Sequence, residues 1–170
     1  MASHNVSIRP AVPTDHGSLC LLFDELDAFH RTGDPQLLRQ PLVDPRPQAY
    51  LDGLIEDPRS EIFVADVGGD CVGVAIVQLQ DAPTFPVFIE QTWAVVDNIA
   101  VRSDARRRGV GRALYSACLR WSEEVGACWL ELTVYEFNES ARRFYESLGF
   151  ATIRRRMRRS LTPPPPTDPT

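Results

Sequence analysis

Four arginines and two glycines crowd one short stretch, Arg106-Arg107-Arg108-Gly109-Val110-Gly111-Arg112. It stands just ahead of a segment whose apolar residues recur at helical spacing. A helix N-terminus presents unpaired backbone N–H groups and the positive end of the macrodipole. Glycines there let phosphate oxygens approach the backbone with no Cβ in the way. Cationic side chains around such a turn suit a ligand that carries a pyrophosphate and a further phosphate.

Three other readings of this stretch can be weighed on the residues alone. A P-loop requires Gly-Lys-Ser/Thr, and none follows. A dinucleotide fingerprint is matched in part: Gly109 and Gly111 supply two glycines and Glu131 lies about twenty residues on, but Leu114 holds the third glycine position. Residues 102–108 also separate the preceding strand from the first glycine, where that turn is tight. The third reading is a basic loop that merely starts a helix.

The elements that must position this turn follow from periodicity. Val6-Ser7-Ile8-Arg9 alternates as a half-buried strand, and Pro13-Thr14-Asp15 opens a helix with Leu19, Leu22, Phe23, Leu26 and Phe29 on its apolar face. Pro41, Pro45 and Pro47 mark a loop, and Gln48 to Ile55 reads as a short helix. Ile62 to Asp66 and Cys71 to Val77 read as strands joined at Gly68-Gly69-Asp70, a hairpin signal. Asp81 to Gln91, with Pro83 and Pro86, reads as a loop, and Thr92 to Val101 as a strand. Val110, Ala113, Leu114, Ala117, Cys118, Trp121 and Val125 follow the 3.6-residue period up to a terminating Gly126. Trp129 to Val134 is expected as a strand, Glu139 to Leu148 as a helix closed by Gly149, and Ala151 to Met157 as a final strand. The expected product is one mixed three-layer α/β domain over residues 1–161. The proline-rich residues 162–170 are expected to form an extended or disordered tail.

Bulk properties narrow the function classes. The length fits one domain, and the longest apolar runs, such as Val72 to Val77, are far too short to span a bilayer. The start of the chain shows neither a basic region nor an apolar stretch, so the expectation is a cytoplasmic protein that binds no membrane. A formal net charge of −5 argues against a general nucleic-acid binder. The charge is uneven: residues 1–70 carry 12 acids and 5 arginines, residues 71–170 carry 11 acids and 13 arginines. The second half therefore suits an anionic ligand and the first half a cationic one. Cys20, Cys71, Cys118 and Cys128 show no paired metal-ligand spacing, so no metal site is expected. None is read as having a local histidine partner, which argues against a covalent route.

The turn also fits a known pattern. Arg106, Gly109 and Gly111 match the Gln/Arg-x-x-Gly-x-Gly/Ala signature of the GNAT superfamily of N-acetyltransferases. Asn138, Ala141, Tyr145, Gly149 and Phe150 match a second one, Asn-x-x-Ala-x-x-x-Tyr followed by a Gly-Phe turn. The chain resembles that superfamily over Val6 to Met157, with the specific matches inside residues 93–150. The resemblance implies an α/β/α fold whose mixed, mostly antiparallel sheet splays between its fourth and fifth strands. Acetyl-CoA would lie in that cleft as co-substrate. The N–H groups of Arg107, Arg108, Gly109, Val110, Gly111 and Arg112 would hold the pyrophosphate. The Ile99–Ala100–Val101 main chain, through Ile99 and Val101, would pair with the pantetheine arm.

Tyr145 is the candidate general acid for the departing thiolate, because Ala141, Tyr145 and Leu148 share the helix face that would look at the CoA arm. Asn138 is a preferred N-cap residue as well as a ligand contact. An alkyl amine is mostly protonated at neutral pH, with a pKa of about 10. Asp97, then Glu131, are the candidates to take its proton. Asp27 and His30 share a polar face with Asp24 on the first helix and are candidate substrate contacts, though a solvated helix face accounts for them too.

The activity expected is transfer of an acetyl or related short acyl group to a primary amine: a small cationic molecule, which the acidic first half suits, or else a peptide N-terminus or protein lysine, between which the resemblance does not decide. The superfamily also makes a homodimer an open expectation. A non-catalytic acyl-CoA-binding or sensor module, and a nucleotide-linked oxidoreductase, are the rival readings.

Overall fold

The computed structural model describes residues 6–40 and 46–161. Pro41, Pro45 and the 162–170 tail therefore lie outside the described residues. Within the described residues, five strands form one sheet in the order β1-β2-β3-β4-β5. They are β1 (Val6–Pro10), β2 (Ser60–Val67), β3 (Asp70–Asp81), β4 (Thr92–Val101) and β5 (Leu130–Leu132). The first four pair antiparallel, and β5 runs parallel to β4. The β2–β3 hairpin turns at Gly68 and Gly69, both at positive φ, a conformation that two adjacent glycines adopt without a Cβ penalty.

Four helices among the described residues cover the sheet: α1 (His16–Gly33), α2 (Gln48–Glu56), α3 (Val110–Glu124) and α4 (Glu139–Ser147). Two apolar clusters separate the layers. On one face Leu19, Leu22 and Phe23 of α1 and Leu51 of α2 bury against Ile62, Val64, Val74, Ile76 and Ala100. On the other, Val110, Leu114 and Cys118 of α3 bury against Ala65, Ala75, Val77, Ala94 and Val96. Each fully buried Leu or Phe contributes about 1.5–3 kcal/mol of transfer free energy. The sheet is thus fixed from both sides, and the alternation of its side chains sets its register.

Pro13–Asp15 is a single 3₁₀ turn, and α1 proper begins at His16. The Asp15 carboxylate accepts from Val12 N–H at 2.8 Å. The Arg9 guanidinium, bound to it at 2.8 and 2.9 Å, holds Asp15 below the usual carboxylate range.

Two strand expectations are corrected. Trp129 to Val134 was too long: only Leu130–Leu132 pair, with Ala94–Val96. Beyond Val96 strand β4 veers away and β5 has nothing to pair with. Residues 151–157 form no strand at all. In Arg154-Arg155-Arg156-Met157-Arg158-Arg159 the arginines leave no alternating apolar face, and Ile153 and Met157 are 73% and 92% exposed. The segment is instead tied down by charge, with Arg154 on Glu131 at 3.2 Å and Arg158 on Asp34 at 2.8 Å.

Candidate active site

The cleft begins at one residue. In the β3–β4 ladder Ile76 pairs with Asn98 and Val77 with Val96, so Asp97 is an extra residue, a β-bulge in β4. Bulges bend a strand and end regular pairing. From Asp97 to Val101 the far edge of β4 has no strand partner among the described residues. Arg102 N–H donates to Val72 C=O at 2.9 Å. Antiparallel pairs alternate between facing the neighbour and facing away. Ala100 therefore turns its main chain toward β3, while Ile99 and Val101 turn theirs into the opened edge. Ala100 is drawn in the other direction as well, its side chain sitting in the core under α1.

At the end of that edge lies the arginine-glycine turn. Gly109 has φ 85° and N-caps α3, and Arg107 has φ 60°, the only described non-glycine residue at positive φ. Successive N–H groups in a turn that alternates between right- and left-handed backbone can form an anion-binding concavity, and a non-glycine residue in the left-handed region carries strain on the order of 1–3 kcal/mol. A Cβ on Gly111 would meet only the Phe144 ring at 3.7 Å and Val101 Cγ2 at 3.8 Å. Packing does not demand glycine there.

The arginines divide by role. Arg107, Arg108 and Arg112 are exposed and make no ion pair among the described residues. Arg106 is committed to the protein: its Nε donates to Val101 C=O at 2.8 Å and its Nη2 to Glu25 Oε1 at 2.5 Å. Glu25 Oε2 also accepts from Ser103 N–H at 3.3 Å.

Helix α4 lies beside the start of α3, its Phe144 ring 3.7 Å from where a Gly111 Cβ would stand. Asn138 is its N-cap, with Oδ1 accepting from Ala141 N–H at 3.1 Å. Tyr145 is 8% exposed and packs toward α3, with Phe150 edge-on at 5.7 Å. Burial, then the neighbouring Cys118 thiol, pushes its phenol well above the usual range; burial likewise takes Cys118 up to about 12. The Tyr145 hydroxyl makes no hydrogen bond among the described residues, yet the sealed unpartnered polar atoms are Asp52 Oδ1 and Trp93 Nε1. The phenol thus keeps both its proton and an opening.

The acidic candidates are more occupied. Asp97 is exposed and accepts from Asn98 Nδ2 at 2.6 Å, and its charge reaches Tyr50 of α2, whose phenol is raised by burial first and Asp97 second. Glu131 on β5 carries the Arg154 contact. Asp27 is paired with the two terminal guanidinium nitrogens of Arg46, Nη1 and Nη2, at 2.5 and 3.0 Å. His30 lies edge-on to Tyr135 at 4.9 Å, with its pKa lowered chiefly by burial.

Several residues lacked a sequence signal. Arg46 lies 4.4 Å over the Phe23 ring while holding Asp27, and Phe137 packs where a Cβ on Gly33 would stand. One signal was present and misread. His16 and Cys20 are four apart on α1, and their Nε2 and Sγ atoms lie 3.4 Å apart, so a cysteine does have a local histidine partner. His16 Nε2 also contacts Arg46 C=O at 3.0 Å, so the imidazole is shared with the backbone. Among the described residues no three His, Cys, Asp or Glu side chains gather as a metal ion would require, and no helix is long and apolar enough to cross a membrane.

Comparison with known proteins bears on this geometry. The sequence model of the Acetyltransferase (GNAT) family matches residues 24–150. Among curated proteins, the L-ornithine N5-acetyltransferase of Arabidopsis thaliana is 32% identical over 99 residues, 58% of this chain but only 42% of that enzyme. The uncharacterized N-acetyltransferase YhfO of Bacillus subtilis is 27% identical over 85% of this chain and 89% of its own. Among solved structures, a point mutant of the BH1408 protein from Bacillus halodurans superposes with a TM-score of 0.87, at 21% identity over 92% of this chain and 99% of that one. An aminoglycoside N-acetyltransferase, AAC(6')-Iy, solved in complex with CoA, superposes at 0.70, with 17% identity over 92% and 99% of the two chains.

Proposed function

We propose that this chain, which belongs to the acetyltransferase (GNAT) family, moves an acetyl or related short acyl group from acyl-CoA to a primary amine by direct attack in a ternary complex. One observation carries the reading: the N-terminus of α3, entered through left-handed Arg107 and Gly109, stands at the end of a strand edge that a bulge has opened. A ligand with phosphates at one end and an amide-bearing arm at the other fits both at once.

In this reading the N–H groups from Arg107 to Arg112 hold the pyrophosphate, with Arg107, Arg108 and Arg112 adding charge. Ile99 offers its main chain and Val101 its N–H to the pantetheine arm, the Val101 C=O already accepting from Arg106, and Asn138 and Ala141 line the facing wall. Fixing the thioester against β4 holds its carbonyl in line for attack, which lowers the barrier by prepaid orientation. Tyr145 acts by donating a hydrogen bond to the departing sulfur. Its raised pKa favours this donation over full proton transfer, since a thiol holds its proton less tightly than this phenol. Asp97 or Glu131 takes the ammonium proton, directly or through water, before the nitrogen lone pair can attack. The neighbour solved with CoA supports the ligand class. The proposed transferase domain spans residues 1–161 and acts in the cytoplasm.

A non-catalytic acyl-CoA-binding module is favoured by one observation: both candidate bases already have partners, Glu131 in Arg154 and Asp97 in Asn98. Thermal-shift titration with acetyl-CoA, CoA and NADH, followed by a thiol-release screen over amines, separates the readings. Stabilisation by acetyl-CoA with thiol release is expected. Stabilisation without release on any amine would favour the binding module, and a shift with NADH alone would sink both.

A further inference from the structure

Beyond the bulge the sheet has a face that no helix among the described residues buries. Val77, Leu79, Ala94, Val96, Leu130 and Leu132 all turn toward α3. Side chains alternate along strands, so Gln78, Trp93, Val95, Trp129 and Glu131 turn to the opposite side. None of them belongs to the core that α1 and α2 bury there. This face is continuous with the catalytic cleft: it starts at Asp97 and Glu131 and runs toward the N-terminal end of β4.

Its floor is aromatic. The indoles of Trp93 and Trp129 stack at 5.5 Å between centroids and 17° between planes. Trp93 is held beneath, with its Nε1 sealed from solvent. Trp129 is 41% exposed and offers a free ring face. Two carboxylates at one end and a flat apolar platform at the other form a site with two chemically different poles. Strand rise sets the separation: about 7 Å from Glu131 to Trp129 and about 13 Å from Asp97 to Trp93.

We propose that this face is the acceptor subsite, and that it takes a small-molecule primary amine joined to a flat aromatic group by a flexible spacer. The inference rests on the transferase reading above and names its substrate class. The ammonium lies between Asp97 and Glu131, displacing Arg154 from Glu131, and the aromatic group stacks on Trp129. An amine lacking the ring loses the stacking contact and keeps the carboxylates.

Turnover with acetyl-CoA is measured for 2-phenylethylamine, 4-phenylbutylamine and 6-phenylhexylamine against alkylamines of equal chain length. The four- and six-carbon spacers should raise kcat/KM over their alkyl counterparts by about tenfold, the effect of one well-placed aromatic contact. Trp129→Ala should abolish that preference and leave the acetyl-CoA dissociation constant unchanged, while Trp129→Phe keeps most of it. No aryl preference in the wild type, or a preference that survives Trp129→Ala, overturns the proposal. Saturation-transfer NMR on the phenylalkylamine reads the subsite without turnover. Ring contact that Trp129→Ala removes, in a protein that acetylates nothing, upholds the subsite and counts against the transferase reading instead. Acetylation of alkylamines with no ring contact does the reverse.

Discussion

Glu25 on α1 and Arg106 beside the glycine turn are 81 residues apart and joined at 2.5 Å, and the same carboxylate accepts the Ser103 N–H. Arg106 spans on to the Val101 carbonyl, so one guanidinium couples α1, the end of β4 and the approach to α3. Arg106 is therefore a brace for the turn, distinct from Arg107, Arg108 and Arg112, which make no ion pair among the described residues.

Glu25→Gln should slacken that brace. The ion pair is half-exposed, and such pairs contribute about 0–1 kcal/mol, so the melting temperature should hardly move. The acetyl-CoA dissociation constant should rise by about three- to tenfold, from the loss of a pre-set turn rather than of a ligand contact. Calorimetric titration reads this; an unchanged constant would show that the brace does not shape the turn.

The two glycines of the turn should answer differently to alanine. Gly109→Ala forces a Cβ into the left-handed region and should cost about 1–2 kcal/mol of stability. Gly111→Ala meets only ordinary contacts and gains up to about 1 kcal/mol of helix propensity. Both should weaken acetyl-CoA. A Gly111→Ala protein that is more stable and binds CoA less well is the decisive outcome, and undiminished binding would remove Gly111 from the site.

Tyr145→Phe deletes a hydroxyl with no protein partner among the described residues, so stability should stay within about 1 kcal/mol of wild type. If the phenol serves the departing sulfur, kcat should fall by at least about tenfold, in the range of acid–base contributions, with acetyl-CoA affinity nearly unchanged. Equal turnover by the variant would leave Tyr145 a packing residue.

His30 has a folded-state pKa lowered below its ordinary 6.5, chiefly by burial. The unfolded chain then binds the proton more readily than the folded one. Stability from this residue is full above pH 6.5 and is lost as pH falls from there through the lowered folded value. Asp15, also lowered, acts separately and further down, below its ordinary 3.8. Chemical denaturation between about pH 7.5 and about 5 should show the wild type weakening and His30→Gln weakening less. Parallel slopes would refute the assignment.

Much of the local geometry of the candidate site was legible because it rests on local rules. The α3 turn announces itself by glycines ahead of a helical period, and the Asn138 cap by its place before α4. The His16–Cys20 contact was equally local, one helical turn apart. What stayed hidden depends on chain segments meeting. Nothing near Glu25 points to Arg106, and nothing near Asp27 points to Arg46. The shortness of β5 follows from where β4 bends. Residues 151–157 stay out of the sheet because the arginines around them bind Glu131 and Asp34 instead of alternating with apolar residues.

Asp97 also changes how the length of β4 can be counted. Ala94 and Val96 face α3, as do Ile99 and Val101, while Ala100 faces α1. Odd positions have taken over from even ones, and Asp97 is the residue that changes the parity. Delete it, and every remaining side chain of β4 keeps the face it now has. Packing would be satisfied by a strand one residue shorter, straight enough to follow β5 further and seal the sheet. The cleft is in that sense a single-codon feature: an insertion that the core tolerates without repacking, and that a deletion could close again.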